Sequence, residues 1–151
     1  MSLDAGRALK DLINICEDGI AGYDTVAGEV LDPATRWILV EIGDERRRFA
    51  QALANLVIGH GYGTDFDDVG TLRGAVHQAW IDVLSVLDRG DAAMLGECVR
   101  GEEAAIDAYT QALDADLPAE VAKVVRSQLD RLRAVRDQVE RMRDRVDPEP
   151  G

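Results

Sequence analysis

Apolar residues recur at intervals of three and four along nearly the whole chain, which is the period of a helix with one buried face. The stripe Leu9, Ile13, Cys16, Ile20, Tyr23, Ala27 and Val30 predicts a first helix, from an N-cap at Ser2 to about Val30. Asp32-Pro33 gives a stop and a restart, with Asp as cap and Pro at the first helical position. A second helix then runs to about Gly59 on Ile38, Ile42, Glu45, Phe49, Ala52 and Leu56. After a glycine-rich turn and an acidic loop, a shorter third helix covers Thr71 to Leu87 on Leu72, Val76, Trp80, Val83 and Leu87. The fourth spans about Ala92 to Leu113 on Leu95, Val99, Glu102, Ile106, Tyr109 and Leu113. Leu117-Pro118 opens a fifth, carried to about Val146 by the heptad-like stripe Val121, Val125, Gln128, Leu132, Val135, Val139 and Met142.

Lengths turn these helices into an architecture. Helices one, two, four and five span about 33–42 Å each at 1.5 Å per residue, and the third only about 25 Å. Connections of a few residues make the first and second, and the fourth and fifth, antiparallel hairpins. The longer segment between the hairpins can climb the whole height, which sets the second helix parallel to the fourth. The expected fold is all-α: a ferritin-like antiparallel four-helix bundle with a short extra helix in the crossover. An ordinary five-helix array is the alternative. One domain over residues 1–146 and a disordered tail over 147–151 complete the expectation. Glu17-x-x-Ile20-x-x-Tyr23 and Glu103-x-x-Ile106-x-x-Tyr109, each followed by a proline, form a faint internal repeat that duplicated hairpins would leave.

The formal net charge of −12 argues against nucleic acid or an anionic membrane as partner. Cys16 and Cys98 lack metal-type spacing and sit in apolar stripes, as reduced core residues of a cytoplasmic protein would. Met1 to Arg7 lacks the apolar run of a signal peptide.

The polar residues inside the stripes carry the functional question. Glu45, Glu102 and Gln128 interrupt apolar runs, Glu17 and Glu103 flank them, and all five fall near the helix middles. Buried carboxylates are costly unless protonated, ion-paired or bound to metal. A metal reading places iron or manganese among Glu17, Glu45, Glu102 and Glu103. Ferritin-like sites, however, use Glu-x-x-His on two helices, and here Arg48 stands three residues after Glu45 and Arg133 three after Asp130. Arginine has no acceptor and cannot ligate a cation, but it neutralises Glu. The competing account is therefore a polar core layer of Tyr23, Arg48, Tyr109, Gln128, Asp130 and Arg131, with Arg46 and Arg100 as further cations. Asp65-Phe66-Asp67-Asp68-Val69-Gly70 fails as a calcium loop at Val69 and Val76. His77 reads as a boundary residue. The helix-interior glycines call for close approach, or for room for Trp37 and Trp80.

The run Leu12-Ile13-Asn14-Ile15-Cys16-Glu17-Asp18-Gly19 with Tyr23, the run His77-x-x-Trp80-x-Asp82, and Glu97-Cys98-x-x-Gly101-Glu102 with Tyr109 come in a familiar order. Over residues 3–145 the chain resembles a bacterial family of uncharacterised ferritin-like four-helix-bundle proteins. The resemblance implies a fold and no reaction. The leading expectation is a non-enzymatic, cytoplasmic, stress-associated bundle without cofactor, acting as a homodimer or through a protein partner. Carboxylate-bound iron or manganese chemistry is the competing class, and a cavity lined by Tyr23, Tyr109 and the acids is a third.

Overall fold

The computed structural model describes residues 4–63 and 72–146, and the described residues form five helices and no strand. Ser2, the acidic loop and the tail over 147–151 lie outside them. The helices are α1 (Ala5–Glu29), α2 (Pro33–Gly59), α3 (Arg73–Leu84), α4 (Asp91–Ala112) and α5 (Ala119–Val146).

Each boundary has a local cause. The cap of α1 is Asp4, not Ser2, its carboxylate accepting from the Gly6 N–H at 3.2 Å. Asp32 caps α2, accepting from the Thr35 N–H at 3.0 Å and the Thr35 hydroxyl at 2.6 Å. Those two bonds, the hydroxyl's first, hold the Asp32 carboxyl below its usual pKa. The Arg36 guanidinium donates to the carbonyls of Ala27 and Val30 and so closes the C-terminus of α1. The N–H groups of Leu31 and Asp32 donate to the Asp91 carboxylate, fixing the α1–α2 turn to the start of α4. Gly90 precedes α4 at φ 100°, a backbone state that a side chain would strain.

Paired side chains set the helix directions. Cys16 meets Tyr109 and Tyr23 meets Glu102, so α1 and α4 are antiparallel. Glu45 meets Arg131 and His60 meets Glu120, which makes α2 and α5 antiparallel. Glu103 meets Arg136 and Tyr109 meets Gln128, giving the same relation for α4 and α5. Gly19 lies against Arg46 and Gly43 against Asp24, so α1 and α2 are antiparallel too. It follows that α2 and α4 run the same way. The chain between them passes from one end to the other, and its helix α3 packs on α1 and α4.

One apolar core draws residues from all five helices. Every member of the α5 stripe is buried, as the heptad-like spacing predicts. The α2 stripe needs a correction. The fully buried row is Leu39, Arg46, Leu53 and Val57, while Ile38, Glu45, Phe49, Ala52 and Leu56 sit at its edge. Both rows fit the helical period. The sequence alone favours the row without a central guanidinium, because the partner that makes that burial tolerable lies on another helix.

Trp80 resolves two of the interior glycines. A Cβ on Gly22 would stand 2.1 Å from Trp80 Cε3, and one on Gly101 would stand 2.6 Å from its Cε2. The indole is a wedge between α1 and α4, and it meets Tyr23 edge-on with ring centres 5.0 Å apart. Trp37 takes no part in this, being 65% exposed on α2.

Candidate functional site

The middle of the protein holds a small polar layer. Glu102 of α4 is completely buried, and its Oε1 accepts from Arg46 Nη2 at 2.7 Å and from the Tyr23 hydroxyl at 2.8 Å. Arg46 is itself 2% exposed, its Nη1 fitting against the bare backbone of Gly19. Burial alone would push the guanidinium pKa down, but Glu102, Tyr23 and Cys16 together outweigh it and hold Arg46 further into its charged form. Glu102 Oε2 and Arg46 Nη1 make no hydrogen bond among the described residues.

A second chain of polar contacts lies beside the first. The Tyr109 hydroxyl donates to Gln128 Oε1 at 2.7 Å, and Gln128 Nε2 donates to the Phe49 carbonyl at 3.2 Å. With the hydroxyl proton so used, the Cys16 thiol at 3.3 Å is left to donate to the tyrosine oxygen. Desolvation raises both tyrosines well above their usual pKa, and the Glu102 charge adds to it. The two chains cross the faint repeat: Tyr23 reaches the residue before Glu103, and Tyr109 reaches the residue before Glu17.

The remaining sequence candidates are placed elsewhere. Glu17 is exposed on α1. Glu45 is partly buried and accepts from Arg131 Nε at 3.1 Å, and Glu103 on the surface accepts from Arg136 at 3.1 Å. Arg48 and Asp130 are exposed, Asp130 facing Arg133 at 3.6 Å. The structure thus brings together Glu102, Tyr23, Tyr109 and Gln128 from the sequence candidates and leaves the other acids outside. Among the described residues no three His, Cys, Asp or Glu side chains come close enough to share an ion. The donor set of the layer does not suit a metal: it offers one carboxylate, already neutralised by a guanidinium. In the sequence Arg46 is one of four candidate cations, and Cys16 sits in an apolar stripe. No local signal singles out either one, because both roles depend on α4.

The buried thiols give the layer a measurable signature. Burial pushes the Cys16 thiol from 9.0 up to about 11, against a smaller lowering by Arg46, and it pushes Cys98 up as well. The unfolded chain therefore releases thiol protons at a pH where the folded chain still holds them. Stability is unaffected below about pH 9 and falls as pH rises through the window to about 11. For Cys16 the full loss is on the order of 2–3 kcal/mol. Urea unfolding as a function of pH should show a slope over this window that is shallower in Cys16→Ala. Equal slopes would contradict the assignment.

An all-helical protein whose core encloses an Arg–Glu ion pair is the class these features define. The chain belongs to the family described as Domain of unknown function (DUF2383), whose model matches residues 4–115. That match takes in α1 to α4 and is narrower than the resemblance over 3–145. No curated protein and no solved structure matches the chain.

Proposed function

We propose that this protein is a ferritin-like four-helix bundle, with α3 in its crossover, that acts without catalysis by associating with itself or with a protein partner in the cytoplasm. The carrying observation is that the buried acid of the polar layer is ion-paired within the protein. Glu102 is neutralised by Arg46 and accepts from the Tyr23 hydroxyl, and outside the layer Glu45 and Glu103 pair with arginines of α5. Groups arranged this way hold helices in register. The helix directions and the end-to-end connection support the bundle topology.

Function then falls to the surface. Leu31 at 83% and Trp37 at 65% exposure, with Val40 nearby, form an apolar area where α2 begins. We read this area as a protein contact; among the described residues no helix is long and apolar enough to cross a membrane.

The test combines two measurements on protein purified without chelator. Light scattering over a range of concentrations should show association that Trp37→Lys weakens. Iron or manganese should leave the thermal midpoint unchanged. A stoichiometric metal that raises the midpoint, and is lost in Glu102→Gln, would overturn the reading.

A further inference from the structure

We propose that the groove between α1 and α3 is a docking site for a basic amphipathic helix of another protein. The inference rests on the reading that the protein acts through its surface, and it gives that surface a location and a partner chemistry.

The groove has a volume of about 220 Å³ and lies between helices that run the same way. Gly22 and Trp80 are buried beneath it, while Ala21, Thr25, Ile81 and Leu84 line it further out. Ile81 is 43% exposed and Leu84 56%, although Val76, Trp80 and Val83 on the adjoining side of α3 are buried in the core. α3 is thus apolar on two sides. The inner side is explained by Val76, Trp80 and Val83, and the outer by nothing among the described residues.

The groove is two helical turns long, with a pair of lining residues contributed at each turn. That is the spacing at which a docked helix presents side chains at i and i+3 or i+4. Its polar end is Asp18, which accepts two bonds from Arg73, at 2.9 and 3.1 Å, and faces His77 Nδ1 at 3.2 Å. Arg73 and His77 are therefore both engaged by Asp18. Glu29, one turn beyond Thr25, Asp82, next to Ile81 in sequence and accepting from Gln78 at 3.0 Å, and Asp88, four residues after Leu84, are exposed and pair with no cation among the described residues. An apolar groove beside unpaired carboxylates is complementary to an apolar stripe with lysine or arginine at its edges.

A second copy fits this chemistry poorly. The chain's own basic helix, α5, has its apolar side buried and interleaves Arg136 and Arg143 with Asp137, Glu140 and Asp144.

The probe is a fluorescein-labelled lysine–leucine peptide of about five helical turns, with leucines on one face. Its controls are a glutamate–leucine peptide with the same stripe and a scrambled lysine–leucine peptide. Saturable binding of the first alone is expected at moderate salt. Leu84→Asp should weaken it about tenfold or more, and Asp82→Asn with Asp88→Asn should weaken it several-fold and flatten its salt dependence. Trp37→Lys, on α2 and outside the groove lining, should leave it unchanged. Both groove substitutions are on the surface, and circular dichroism verifies their folding. Equal binding to all variants, equal binding of the scrambled peptide, or no binding would overturn the groove assignment. So would a dimer that Leu84→Asp disperses, since that gives the groove to a second copy while leaving the surface-acting function intact. Failure of that broader reading shows separately, in the metal titration.

Discussion

Adding a single methyl group at Gly22 should cost about 3 kcal/mol, as large as an overpacked core allows. The new Cβ would stand 2.1 and 2.6 Å from two carbons of the Trp80 six-membered ring, and a planar ring wedged between helices cannot yield by changing a terminal rotamer. Either α1 and α3 separate or the indole leaves. Leaving forfeits the burial that makes Trp→Ala cost about 3–5 kcal/mol. Gly101→Ala meets the other side of the same ring and should behave alike. Two controls isolate the cause. At Gly28 an added Cβ meets nothing within 4 Å, so Gly28→Ala should stabilise by up to about 1 kcal/mol through helix propensity. In a Trp80→Ala background, Gly22→Ala should lose its penalty and turn neutral or favourable. Urea denaturation midpoints read all of these. Equal effects at Gly22 and Gly28 would contradict the wedge.

The second large effect belongs to the buried ion pair. Arg46→Met leaves Glu102 charged in a dry core with only the Tyr23 hydroxyl, and a buried pair broken from one side costs about 3–5 kcal/mol. Glu102→Leu strands the guanidinium and the hydroxyl together and should cost a similar amount. Removing all three polar groups, as Arg46→Met, Glu102→Leu and Tyr23→Phe, should recover most of the loss, because an apolar replacement of a buried pair is often neutral. If the triple variant is no better than the worst single, the layer is not acting as a self-contained unit.

The same features show what a sequence discloses. The α2 bounds follow from Asp32-Pro33 and the glycine-rich turn, and the buried face of α5 from its seven-residue rhythm, because both are local rules. The choice between two adjacent rows on α2 is decided by which row meets α4. Helical period therefore favours Glu45, while packing buries Arg46. Glu102 and Gln128 were visible as polar breaks in apolar stripes, and they do lie inside. Glu17 and Glu103, one residue off their stripes, lie outside, since a step of about 100° carries a side chain from core to solvent. The repeat pointed to Tyr23 and Tyr109, but their partners are the neighbours of its acids, Glu102 and Cys16. For the tryptophans, sequence offered two bulky rings and several small gaps. Only the position of α3 assigns Trp80 to Gly22 and Gly101 and leaves Trp37 in solvent.

The most direct measurement of the ion-paired interior is the coupling free energy between Arg46 and Glu102, from urea unfolding of Arg46→Met, Glu102→Leu and their double variant. A direct contact in the core should give a coupling of about 2–3 kcal/mol, the double variant being far more stable than the single losses imply. Losses that simply add, to within about 0.5 kcal/mol, would mean that the two side chains do not meet inside the protein.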